Sequence, residues 1–259
     1  MQRFLFVLLA ALAPAASVPA QEWAKERLKN SPRHAEWVKV KQGARAVESF
    51  LVFPEVKEKV TAVVVIHEIF GLTDWVRSLA DQLAEAGYIA IAPNLVPGLK
   101  EGENFETLRK AISEVPPEQI TADLNAVTKY VAGLPSCNGK VVVCGFCWGG
   151  GQAFRFATNN KDIKAAYVFY GPPPDEEKDI ERISCPVYGF YGENDNRINA
   201  TIPRTKELMK KAGKIYEPVI YEGAGHGFMR AGEAPDANEA NKKAREEAWK
   251  RWKELLKKV

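Results

Sequence analysis

The chain is poor in the residues that build disulfide frameworks. It has four cysteines, Cys137, Cys144, Cys147 and Cys185, in 259 residues. They are few and unevenly spaced, which excludes the dense pairing of small secreted scaffolds. Whether Cys137 and Cys185 pair cannot be read from spacing. A surplus of one charge is also missing. The 36 basic and 33 acidic residues leave a net charge of +3, which gives no argument for nucleic acid or an anionic membrane as partner. Internal repeats and Pro/Ser/Gly-rich linkers are absent, so one domain is the simplest organisation. Long apolar runs are absent too, apart from one short stretch at the N-terminal end.

That stretch, Phe4 to Ala13, follows Arg3 and is followed by small residues ending Val18-Pro19-Ala20. A basic start, a short apolar core and small residues before a cut site describe a secretory signal peptide. It is too short to span a bilayer core of ~30 Å. The expectation is a signal peptide over residues 1–20 and one domain over residues 21–259. The product is expected to be periplasmic or secreted, with no membrane association once the signal is removed.

What is present is a run of short apolar strands alternating with amphipathic helices. Trp37–Lys41 and Val47–Phe53 alternate and predict antiparallel edge strands. Ala62–Ile66, Tyr88–Ala92, Lys140–Cys144, Ala165–Tyr170, Val187–Tyr191 and Ile215–Tyr221 are apolar enough for strands buried on both faces. Helices are predicted around Val76, Leu79, Ala80 and Leu83, ending at Gly87, and over Glu118–Val131, Pro203–Ala212 and Asn238–Lys257. The last carries Ala244, Ala248, Trp252 and Leu255 along one stripe. This alternation implies an α/β fold with a mainly parallel central sheet flanked by helices. The Pro-, Gly- and charge-rich segment from Asn94 to Pro117 is longer than a usual connection. It is either a cap over a site or a plain surface excursion.

The chemistry concentrates at Cys144-Gly145-Phe146-Cys147-Trp148-Gly149-Gly150. A strand, then Gly-x-Cys-x-Gly, then a helix start has the form of a nucleophile elbow with a thiol in place of the usual hydroxyl. Three other candidates follow strand ends, where α/β folds gather their active residues. They are Glu68 after Ile66, Asp195 after Tyr191 and His226 after Tyr221. Cys147, its thiolate favoured by a place at a helix N-terminus, would be the nucleophile, His226 its proton acceptor and Asp195 the group that orients the imidazole. The amides of Trp148 and Ile69 would form an oxyanion hole. Taken singly, each residue has a plainer role, a buried thiol, a turn-capping Asp or a loop His. The order Cys, Asp, His on three strand ends favours the catalytic one. His67 is expected to be structural and His34 to lie on the surface.

The segments Val65-Ile66-His67-Glu68-Ile69-Phe70-Gly71-Leu72, Gly145 to Gly150, Val168-Phe169-Tyr170-Gly171 and Gly225-His226-Gly227-Phe228 with Arg230 together resemble the dienelactone hydrolase family. The likeness covers roughly residues 45–257. It implies the α/β-hydrolase fold, a Cys147–Asp195–His226 triad, no cofactor, no metal, and a small ester or lactone as the only partner. It also implies that Glu68 contacts the resting thiol and helps form the thiolate, that Arg230 holds a substrate carboxylate, and that Phe70 and Tyr170 border the substrate. A second carboxylate-binding arginine has no clear counterpart, and Arg109 is the only arginine in the stretch where it belongs. Trp148 is bulkier than the Leu common after the nucleophile. A monomer is expected. Two rivals stand beside the hydrolase: an exported thiol redox protein using the C-x-x-C of Cys144 and Cys147, and a non-catalytic binding protein. As a zinc site the C-x-x-C lacks a second ligand pair.

Overall fold

The structure, a computed structural model, describes residues 21–99, 103–174 and 176–259. The expected signal peptide, residues 1–20, lies outside the described residues. Eight strands form one sheet in the order β1-β2-β4-β3-β5-β6-β7-β8. They are β1 (Ala35–Gln42), β2 (Arg45–Val52), β3 (Val60–Ile66), β4 (Ile89–Pro93), β5 (Cys137–Phe146), β6 (Ala166–Phe169), β7 (Val187–Gly192) and β8 (Tyr216–Tyr221). β1 pairs antiparallel with β2, and β2 antiparallel with β4. The remaining neighbours run parallel. Of the two strands expected at the edge, only β1 is one, since β2 is paired on both sides.

The helices are α1 (Glu22–Lys29), α2 (Asp74–Glu85), α3 (Phe105–Glu114), α4 (Pro117–Ala132), α5 (Trp148–Asn159), α6 (Glu177–Ile180), α7 (Asn196–Asn199), α8 (Ile202–Lys211), α9 (Phe228–Ala231) and α10 (Glu239–Leu256). They cover both faces of the sheet, and β3 shows why. Ala62, Val64 and Ile66 belong to one apolar cluster with residues of α4, α5 and α8, while Val63 and Val65 belong to another with residues of α1, α2 and α10. Successive side chains of a strand point to opposite faces, so a strand buried on both must be apolar throughout. The stripe Ala244, Ala248, Trp252 and Leu255 of α10 is buried as expected. Asn238 caps that helix, its side chain accepting from the Asn241 amide at 2.8 Å.

Five helices exceed the sequence expectation, the single-turn α6, α7 and α9 and the longer α1 and α3. α1 is mostly polar, with only Ala24 buried. It is held from outside: the Gln21 side-chain oxygen accepts from the Trp75 amide at 2.7 Å, and Arg27 pairs with Glu85 at 3.1 Å. The Asn94–Pro117 segment contains α3, capped by Asn104 through the Thr107 amide at 2.9 Å. The sheet's topology brings the carboxyl ends of β3, β5, β7 and β8 to one side. No helix among the described residues is long and apolar enough to cross a membrane.

Candidate active site

Cys147 occupies the junction of β5 and α5 with φ 56° and ψ −116°. This is a strained setting for a residue with a Cβ, costing on the order of 1–3 kcal/mol. The surrounding backbone holds it there. The Cys147 amide donates to the Phe169 carbonyl at 3.1 Å, and its carbonyl accepts from Gly151 at 3.2 Å. The flanking glycines are required by close approach. A Cβ on Gly145 would stand 1.9 Å from the Gly149 carbonyl oxygen, and one on Gly149 2.3 Å from that of His67. The start of α5 is therefore pressed directly against the ends of β3 and β5, and the thiol is lifted above the sheet.

The main-chain amides of Trp148 and Ile69 both face the sulfur. Ile69 is presented by a tight turn closed by the Gly71 amide donating to the Glu68 carbonyl at 3.2 Å. His67 braces the same turn from below. Fully buried, it receives the Leu95 amide on Nε2 at 3.3 Å, so Nδ1 carries the proton and donates to the Glu68 carbonyl at 2.7 Å. Burial lowers its pKa to about 4, so the ring is neutral near pH 7. It stacks on Trp148 with centroids 5.2 Å apart. The structural role expected for His67 thus has a definite object, the Ile69 peptide.

Asp195 divides its carboxylate between two tasks. Oδ1 caps α7 by accepting from the Ile198 amide at 3.4 Å, and Oδ2 accepts from His226 Nδ1. The turn-capping role and the orienting role are both real here. Because a carboxylate only accepts, Nδ1 holds the imidazole proton and Nε2 is left as the basic nitrogen. His226 lines the same cavity as Cys147, with no hydrogen bond between them in this resting arrangement. Such contacts often tighten only when substrate binds.

Burial, and after it the negative charge of Glu68, push the Cys147 thiol up to about 11. The two amides and the guanidinium of Arg197 oppose this without prevailing. The helix-start position, expected to favour the thiolate, is outweighed by desolvation. Near pH 7 the resting nucleophile is a neutral thiol.

Glu68 does not hold that thiol as expected. Its carboxylate is buried and accepts from Arg230 Nε at 2.7 Å. The sequence places Arg230 one helical turn beyond His226, and α9 returns it to the end of β3, a meeting that spacing cannot reveal. Arg230 also lies over the Phe70 ring at 5.1 Å. Tyr170 corrects a second expectation. It is fully buried, is not part of the cavity wall, and packs edge-on against His226 at 5.0 Å. Its hydroxyl lies near Glu68 without completing a hydrogen bond. It supports the site from within, behind the residues that line the cavity.

Above the thiol is a cavity of about 620 Å³ whose wall includes Glu68, Ile69, Phe70, Cys147, Trp148, His226 and Arg230. Arg109 and Arg197 also line it. Arg109 had no assigned partner in the sequence, and Arg197 gave no signal beyond following Asp195 by two positions. Neither arginine makes an ion pair among the described residues. The dienelactone hydrolase family pattern matches residues 47–259.

The chain belongs to the dienelactone hydrolase family.

Its relatives agree. A Saccharolobus solfataricus protein provisionally named carboxymethylenebutenolidase is 33% identical over 250 residues, covering 82% of this chain and 94% of that protein. An Escherichia coli K12 protein of the same provisional name is 32% identical over 215 residues, covering 75% and 76%. Among solved structures, a provisionally assigned dienelactone hydrolase from Klebsiella pneumoniae superposes with a TM-score of 0.79 at 26% identity, covering 88% of this chain and 99% of that one. The fold is that of an α/β-hydrolase, and the dienelactone hydrolase assignment makes the chain a hydrolase by family. Cys144, the other half of the C-x-x-C, is fully buried within β5, and all four cysteines are free thiols. This removes the exposed dithiol that the redox rival requires.

Proposed function

We propose that the protein is an exported hydrolase of carboxylic esters or lactones that works through a thioester on Cys147. The observation that carries this reading is one cavity lined by a strained thiol and an Asp-oriented imidazole, with two main-chain amides aimed at the sulfur. His226 Nε2 takes the thiol proton as sulfur attacks the substrate carbonyl. The carbonyl oxygen becomes an oxyanion received by the Ile69 and Trp148 amides. Collapse expels the alcohol, protonated from His226, and leaves the acyl group on sulfur. Water, deprotonated by His226, then attacks the thioester and releases the acid with the thiol restored. Turnover of a chromogenic ester, and its loss on iodoacetamide treatment, tests the reading.

Activation needs a trigger, because the resting thiol is protonated. Glu68 supports this role. A substrate carboxylate that competes for Arg230 would free Glu68 beside the sulfur. Glu68→Gln is therefore expected to act in two directions. It removes a negative neighbour from the resting thiol, so the pH midpoint of iodoacetamide alkylation should fall below about 11. It also removes a proton acceptor, so turnover of acidic esters should fall. A midpoint that rises would show that Glu68 acts on the thiol in some other way.

Substrate charge is best tested at Arg109. Arg230→Ala would strand Glu68 as an unpaired buried carboxylate, a change that costs about 3–5 kcal/mol. Arg109 makes no ion pair among the described residues, so Arg109→Ala spares the fold. A hydrogen bond to a charged group is worth ~1.5–3 kcal/mol. Kcat/KM for carboxylate-bearing esters should therefore fall roughly 10- to 100-fold, with p-nitrophenyl acetate little changed. An unaltered ratio of acidic to neutral turnover would remove Arg109 from substrate recognition.

Export rests on the N-terminal pattern. From Gln21 onward the chain is integrated in the domain, which suits a cut just before it. The exported protein is expected to begin near Gln21 by intact mass. A full-length product retained in the cytoplasm would contradict the assignment.

A further inference from the structure

The cavity over Cys147 does not end at the thiol. A second cavity, of about 1070 Å³, adjoins it and shares four wall residues with it, Ile69, Phe105, Arg109 and Trp148. The first cavity alone, about 620 Å³, falls within the roughly 300–1,000 Å³ that holds a drug-sized ligand. A small lactone would leave most of the combined space unfilled.

The second cavity is built between α3 and the start of α5, and Ile69, Phe105, Ile112 and Trp148 give it apolar walls beside Arg109. Phe105, Leu108 and Ile112 fall at i, i+3 and i+7, which makes one face of α3. Only Leu108 is buried. Phe105 is 54% exposed and stands where the two cavities meet. Opposite it is Trp148, held by its stack on His67. An aromatic left this open beside a reactive cavity is apolar surface without a covering partner among the described residues. The polar residues Asn104, Glu106, Lys110 and Ser113 form the rest of the wall.

We propose that this second cavity is a subsite for an apolar arm of the substrate. The preferred substrate is then an ester or lactone carrying a large alkyl or aryl group, received between Phe105, Ile112 and Trp148. Its scissile carbonyl lies over Cys147. The inference rests on the ester-hydrolase reading and gives it a substrate class.

Two ladders of esters test it, since the arm could belong to the acyl or the alcohol side. One is p-nitrophenyl acetate, butyrate, hexanoate and octanoate. The other is ethyl, butyl and hexyl acetate followed with a pH indicator. A buried methylene contributes about fourfold in kcat/KM, from ~0.8 kcal/mol each. At least one ladder should climb at about that rate until the subsite is full. Phe105→Ala removes a wall, and Ser113→Trp, at an exposed position on α3, fills the space. Both should flatten the climb, so that the ratio of kcat/KM for the longest ester of the ladder to that for the shortest falls toward one. Flat ladders in the wild type, or a slope that neither variant alters, would overturn the subsite and leave the hydrolase reading intact. No Cys147-dependent hydrolysis of any ester would overturn both.

Discussion

Cys147→Ala is expected to lower ester hydrolysis by roughly 10,000-fold or more, the loss seen when a nucleophile is removed from a triad that acts as a unit. The melting temperature should hardly move. The residue is partly open, and alanine meets the positive φ no worse than cysteine does. Cys144→Ala should behave in the opposite way. Its sulfur is fully buried on β5, so the variant leaves a small cavity and loses about 1 kcal/mol of stability while keeping most of its activity. Hydrolysis and thermal melts of both variants separate the two thiols. Equal loss of activity in both would favour a dithiol mechanism and contradict the assignment of Cys147.

Asp195→Asn is expected to reduce kcat/KM by roughly 100- to 10,000-fold without unfolding the protein. Asn caps helices about as well as Asp, so its side-chain oxygen can keep the Ile198 amide that Asp195 now holds at 3.4 Å. The side-chain nitrogen then faces His226 Nδ1. A donor there forces Nδ1 to accept, which moves the imidazole proton to Nε2, the position that must be free to take the thiol proton. The variant would hold the right shape with the wrong tautomer. Steady-state kinetics beside a thermal melt check this. A loss of less than about threefold would show that Asp195 serves α7 and not His226.

The parts of this molecule written in local patterns were legible before the structure. The paired apolar strands, the capped stripe of α10 and the glycine-flanked Cys147 are of this kind, because strand period, helix period and elbow glycines are short-range constraints. What was not legible depends on side chains distant in sequence. Glu68 and Arg230 are 162 residues apart and meet at 2.7 Å, and that meeting gives the Glu68 carboxylate a partner other than the thiol. α1 has only Trp23, Ala24 and Leu28 as an apolar face, too short a pattern to announce it, and is also held by Trp75 and Glu85 of α2. α3 did carry a signal, an Asn cap followed by Phe105, Leu108 and Ile112 at helical spacing, but the charge and glycine around it masked the period. Tyr170 shows the limit of family likeness, which marked the residue as part of the site without showing that it lies beneath the cavity. The depressed thiol pKa expected of a helix start failed for a physical reason. Desolvation of the sulfur and the charge of Glu68 outweigh two amides and the Arg197 guanidinium.

The most direct test is to catch the acyl group on the enzyme. Wild-type protein and a His226→Asn variant, in which deacylation is slowed, would be mixed with p-nitrophenyl butyrate, quenched in acid within seconds and digested for peptide mass analysis. The expected result is a butyryl mass on the peptide containing Cys147, removed by neutral hydroxylamine as a thioester is. Release of p-nitrophenol with the acyl group on another residue, or rapid turnover with no adduct on Cys147 in either protein, would contradict a thioester mechanism.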